Sequence, residues 1–205
     1  MHPQRSALAV VIVPLVLATG AGGASASCVP AAAKTLRASG AARIYSQRSV
    51  LHGCLGTRRT RLGPLRGTVP FPATRVTLYA LSNRYAGIDT VQMGVDTFSS
   101  EVALVDLRTG AKVATAPATT PERRAESFIM VTSMAVNDTG TLAWIGRRSA
   151  IGVPQPTYEL HALTAGHNVV VSAGTIPLVA LRLDEKKLSW REGSGGPGES
   201  VPLPP

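Results

Sequence analysis

Two cysteines, two tryptophans and three phenylalanines are the whole stock of those residues in the 205-residue chain. No Cys-x-x-Cys and no His-x-x-x-His spacing occurs, which excludes the usual structural zinc sites. A G-x-S-x-G elbow, which would present a nucleophilic serine, is missing as well. Helical periodicity is nearly absent, so a helix bundle has no support. The only sustained apolar run is Ala7 to Ala18, twelve residues long and too short to span a bilayer as a helix.

That run follows a weakly basic start, His2 and Arg5, and precedes small residues ending in Ala24-Ser25-Ala26. The order basic, apolar, A-x-A predicts a signal peptide over residues 1–26 and a mature domain over 27–205. Cys28 follows closely, but Ser25 stands where a lipoprotein signal carries an aliphatic residue. Free secretion, or association with the cell envelope, is therefore expected in preference to a lipid anchor.

In an exported chain two cysteines most simply make one disulfide, here Cys28 with Cys54. Lys and Arg number 21 against 12 Asp and Glu, a net charge of +9. A balance this basic favours anionic partners, such as an acidic polysaccharide or a wall polymer carrying phosphates.

What the mature chain does contain is short runs of period two, broken by Gly, Pro, Asn and Asp. "DLRTGAKV" (106 to 113) aligns without a gap on "ALTAGHNV" (162 to 169), matching Leu107 with Leu163 and Gly110 with Gly166. Leu55, in "VLHGCLGTRRTRL", takes the same place earlier in the chain. Each of these stretches follows a polar turn and a strand of small and aromatic residues that holds, or ends at, Tyr45, Tyr85, Trp144 or Trp190. Their repeated position reads as core packing.

The chain therefore reads as a unit written about four times, over roughly 34–66, 72–115, 129–173 and 177–205. Periods of this length with up to four strands each predict an all-β, propeller-like array of about four antiparallel three- to four-stranded sheets, closed or open. A β-sandwich is the alternative. Unit four lacks a last hairpin, with "GSGGPG" and "SVPLPP" in its place, and "PERRAESFIM" (121 to 130) is at most one helical turn.

"VNDTGTLAWIG", "YELHALTAG" and "VALVDLRTG" resemble the repeats of TolB-type and tryptophan-aspartate-type β-propellers. The chain is also similar to exported propeller-like proteins of GC-rich bacteria, on the segments His52-Gly53-Cys54-Leu55-Gly56, "VDLRTG" and Leu188-Ser189-Trp190. The resemblance implies an architecture and carries no catalytic residue or cofactor.

The densest charge is "GTRRTRLGPLRG" (56 to 67), followed by Arg75. Arg58, Arg59, Arg61 and Arg66 are candidate anion ligands, because a guanidinium offers a planar two-pronged fork to phosphate or sulfate. A solvated hairpin end on a basic protein accounts for the same residues. The segment holds no interleaved aromatics, which disfavours nucleic acid. Asp89, Asp96 and Asp106 lack the spacing of a calcium loop and read as turn and hairpin residues.

Two functions remain. One is a non-enzymatic exported binding module for an anionic envelope polymer or a partner protein. The other is a propeller-fold hydrolase or lyase, which requires His52, His161 or His167 to meet a carboxylate and a nucleophile in one pocket.

Overall fold

A computed structural model describes residues 28–65, 73–94, 98–121, 127–150 and 152–203. The expected signal peptide and Arg66 lie outside the described residues. Among the described residues the chain forms fifteen strands in four antiparallel sheets, with no helix and no closed sheet. The all-β, four-sheet expectation holds.

The first sheet is a meander of β1 (Lys34–Ser39), β2 (Ala42–Gln47), β3 (Val50–Leu55) and β4 (Arg58–Pro64). The second repeats it with β5 (Ala73–Leu81), β6 (Tyr85–Met93), β7 (Phe98–Asp106) and β8 (Ala111–Pro117). The third follows with β9 (Ser127–Val136), β10 (Leu142–Ala150), β11 (Thr157–Thr164) and β12 (His167–Gly174). The fourth stops at three strands: β13 (Leu178–Leu183), β14 (Lys187–Glu192) and β15 (Gly198–Pro202). Gly56, Gly110 and Gly166 sit in the three turns from third to fourth strand, each with a positive φ that glycine adopts at little steric cost.

Three cores hold the sheets in series. Ala42, Ile44, Leu51 and Leu62 of the first sheet pack on Val76, Ile88, Val105 and Leu107 around the second. Val102 and Leu104 meet Leu142, Trp144 and Leu163 of the third. Ile145, Leu160 and Ala162 meet Leu178, Leu188 and Trp190 of the fourth. No core among the described residues joins the fourth sheet to the first, so the array is open.

An open array has two end faces that no sheet covers, and each is finished differently. On the fourth sheet, Leu188 and Trp190 point inward, so alternation turns Lys187, Ser189 and Arg191 outward as a polar face. On the first, a disulfide joins Cys28 to Cys54, with Cα atoms 6.0 Å apart, and packs Val29 and Ala33 against Tyr45. The expected pairing of the two cysteines is therefore present.

The first turns of the four sheets are linked side by side. Ser39 Oγ donates to Asn83 Oδ1 at 2.9 Å, and Asn83 donates its backbone N–H and Nδ2 to the Asp138 carboxylate. Asn137 Nδ2 then donates to the Asp184 carbonyl at 2.9 Å.

Some sequence expectations change. Ser127 to Met130, read as part of a helical turn, open β9 instead. Tyr85 lies in its strand, as its first residue. Asp89 lies in mid-strand, buried, where Thr77 and Ser100 donate their hydroxyls to it, so it is no turn residue. Asp106 does cap a hairpin, accepting from Arg84 and from the Arg108 N–H. Asp96 lies outside the described residues.

Candidate functional site

Strand alternation divides the arginine-rich segment between two faces. On β4, Arg58 is opposite Leu55, and its Nη1 donates to the Thr109 carbonyl of the second sheet at 3.0 Å. Arg59 and Arg61 are opposite Cys54 and His52, and residues paired directly across a ladder share a face. That is the outward face carrying the disulfide. All three are exposed, but Arg58 is held in a sheet-to-sheet contact, while Arg59 and Arg61 stand on the outward face at the end of the array.

Beside them is a concave space of about 390 Å³ lined by Gln47, Arg48, Val50, His52 and Arg61. His52 is half-buried, and its ring stacks on Tyr45 with centroids 5.1 Å apart and planes 12° from parallel. Burial, then the positive charges of Arg61 and Arg59, hold the His52 imidazole below its ordinary pKa of 6.5. Arg48 and Ser49 form the β2–β3 turn, with φ of 50° and 61°. A two-residue hairpin favours this mirror-image geometry, usually supplied by Asn-Gly, and a non-glycine residue there costs about 1–3 kcal/mol. The turn places Arg48 at the rim of the space.

Three other arginines have structural partners. Arg84 pairs with Asp106 at 2.7 Å, Arg148 approaches Glu159 at 3.9 Å, and Arg43 donates to the carbonyls of Gly40 and Ala42. Arg48, Arg59 and Arg61 make no ion pair among the described residues. The reason lies in the chain itself: no Asp or Glu occurs before Asp89, whereas eleven Lys and Arg do. The first sheet therefore holds no carboxylate with which to neutralise them. This charge asymmetry was readable in the sequence and is the signal that composition averaged over the whole chain conceals. Arg48 could also have been found by reading Arg48-Ser49 as a tight turn.

The three histidines do not converge. His52 is on the first sheet, and His161 and His167 are on the third. His161 is 1% exposed, stacked on Trp144 at 4.8 Å, with Nε2 2.9 Å from Glu159 Oε2 and Nδ1 3.3 Å from Asn168 Oδ1. Thr120 gives Glu159 both its N–H and its hydroxyl, and Trp144 Nε1 donates to the Ala118 carbonyl. The cluster fastens residues 118–120 to the third sheet and lines neither the space beside Arg61 nor the groove beside His167. His167 borders an apolar groove of about 530 Å³ between Val169 and Val171 of β12 and Val201 and Leu203 at β15. Tyr45, Tyr85, Trp144 and Trp190 are buried, as core residues. Among the described residues no group of three or more His, Cys, Asp or Glu could hold a metal, and no helix is long and apolar enough to cross a membrane.

No protein-family model and no curated protein matches the chain.

Proposed function

We propose that the protein is an exported, non-enzymatic binding module that uses the outward face of its first sheet to hold an anionic partner, best an envelope polymer bearing phosphate or another acidic group. The observation that carries this reading is the set of unpaired arginines Arg48, Arg59 and Arg61 on a sheet with no carboxylate, at the free end of an open array. Guanidinium groups without protein counter-ions lose little on meeting an external oxyanion, because no internal pair has to break. Export is supported by the disulfide, since such bonds persist in oxidising compartments. A hydrolase or lyase would need His52, His161 or His167 to meet a carboxylate and a nucleophile in one pocket; His161 reaches Glu159, which accepts from Thr120, only where its ring is sealed in the core, and the sheet that carries His52 holds no carboxylate.

The test is retention on immobilised poly(glycerol phosphate) across a salt gradient. Arg59→Ala/Arg61→Ala is expected to weaken binding at least tenfold and to flatten its salt dependence, while Arg58→Ala binds as the parent does. Equal retention of the parent and the double variant would overturn the reading.

A further inference from the structure

The pocket beside those arginines has a more specific chemistry, and this inference rests on the anion-binding reading. We propose that the space between Arg48, His52 and Arg61 seats one tetrahedral oxyanion, a phosphate or sulfate ester group, and that its binding is coupled to protonation of His52.

The donors approach from three separate elements. Arg61 comes from β4, His52 from the adjacent position on β3, and Gln47 and Arg48 from the end of β2 and the turn that follows it. A single guanidinium fork already occupies both oxygens of a carboxylate. Two guanidiniums, an imidazole and a carboxamide converging from different sides offer more donors than a carboxylate can accept, and a tetrahedral group with three free oxygens can use them. Val50 supplies an apolar wall, and the stack on Tyr45 fixes the plane in which the His52 ring points. Arg48 retains its side chain at a φ of 50°, where Asn or Gly would be easier, so the strained position carries a group with a use.

Burial and the charges of Arg61 and Arg59 favour proton loss from His52 while the pocket is empty, and no carboxylate on the first sheet opposes them. Arg61 and Arg59 lie on β4 and Arg48 at the turn; on β2, Tyr45 is the stacking partner and Arg43 stands opposite Cys54. The segment 28–33 over this face carries no titratable group apart from the disulfide-bonded Cys28. An oxyanion reverses the local field. It neutralises the arginines and becomes the hydrogen-bond acceptor of a protonated ring, so the bound state takes up a proton that the free state releases. Affinity then rises as the pH falls through the titration of His52.

Sulfate separates this proton from any on the ligand, because it does not titrate between pH 5 and 8. Calorimetry with sodium sulfate is expected to show about 3- to 6-fold tighter binding at pH 5.5 than at pH 7.5, as a one-unit rise in the bound-state pKa of an imidazole gives over that range. His52→Gln is expected to lose the gain, binding sulfate alike at both pH values. Arg61→Ala should lose most binding at both pH values, and Arg58→Ala should match the parent. In the unmutated protein the His52 ring resonances should titrate at higher pH with sulfate than without it, which reads the coupling independently of any variant. Sulfate binding without pH dependence, or a gain that persists in His52→Gln, overturns the coupled pocket. If the protein is still retained on poly(glycerol phosphate) in that case, only the pocket inference fails; if it binds neither polymer nor sulfate, the broader reading fails as well.

Discussion

Leu107 covers Gly53: a Cβ at residue 53 would lie 2.5 Å from Leu107 Cδ2. The glycine leaves room for the leucine of the neighbouring sheet, which is fully buried in the first core. The contact joins two segments singled out in the sequence, His52-Gly53-Cys54 and "VDLRTG". Gly53→Ala should therefore destabilise by about 2 kcal/mol through overpacking. Leu107→Ala should cost about 2–5 kcal/mol by leaving a cavity. Urea denaturation of the double variant should show less than the sum, because the small residue at 107 removes the clash. Strict additivity would refute the direct contact.

Cutting the Cys28–Cys54 bridge removes both a covalent loop and the cover over Tyr45. The chain-entropy model assigns about 3.5 kcal/mol to a loop of this sequence separation of 26. Cys28→Ser/Cys54→Ser should lower stability by about 3 kcal/mol in denaturant. It should also increase the solvent exposure of Tyr45, measured by quenching of tyrosine emission, because Cys28, Val29 and Ala33 pack around that ring. If both measurements matched the parent, residues 28–33 would not be a cap.

Asn83 links three sheets through its side chain, accepting from Ser39 and donating to Asp138. The Asp138 carboxyl is held below its ordinary range, burial being outweighed by donation from Ser82 and Asn83. Asn83→Ala should cost about 1–2 kcal/mol, because a hydrogen bond to a charged group is lost at an exposed site. The loss should shrink on acidification as Asp138 becomes protonated, since a depressed carboxyl contributes stability only above its folded-state titration. A pH-independent cost, followed by urea melts between pH 2.5 and 7, would contradict the carboxylate's role.

Most of the architecture was legible because each sheet has to bury its faces in the same way. Leu55, Leu107 and Leu163 were aligned by sequence, and all three stand at the passage from third to fourth strand. The missing last hairpin of unit four appears as a three-stranded sheet. The site was less legible because it depends on register. Nothing local says that His52 faces Arg61, since a bulge between Leu51 and His52 sets that pairing. Arg58 and Arg59 are neighbours in the chain, yet the pleat sends them to opposite faces. Glu159 was not a candidate at all: His161 is two positions away, but Thr120 and Arg148 lie 39 and 11 positions away, and no short motif connects them.

That buried carboxylate yields the sharpest dependence on acid. Burial alone would raise the Glu159 pKa, but donation from His161 and from the N–H and hydroxyl of Thr120 outweighs it and lowers the value from 4.5 to about 2. In the unfolded chain the carboxyl titrates near its ordinary value, so the folded state is favoured above about pH 4.5. The advantage fades as the pH falls from there toward 2, where both states bind the proton. Glu159→Gln should lower stability near neutrality by about 2 kcal/mol, because the amide accepts less strongly from His161 and Thr120. It should also flatten the loss of stability between pH 4.5 and 2. Parallel urea melts of parent and variant across that range give the answer: curves that stay a constant distance apart down to pH 2 would show that Glu159 is not the group whose protonation loosens residues 118–120 from the third sheet.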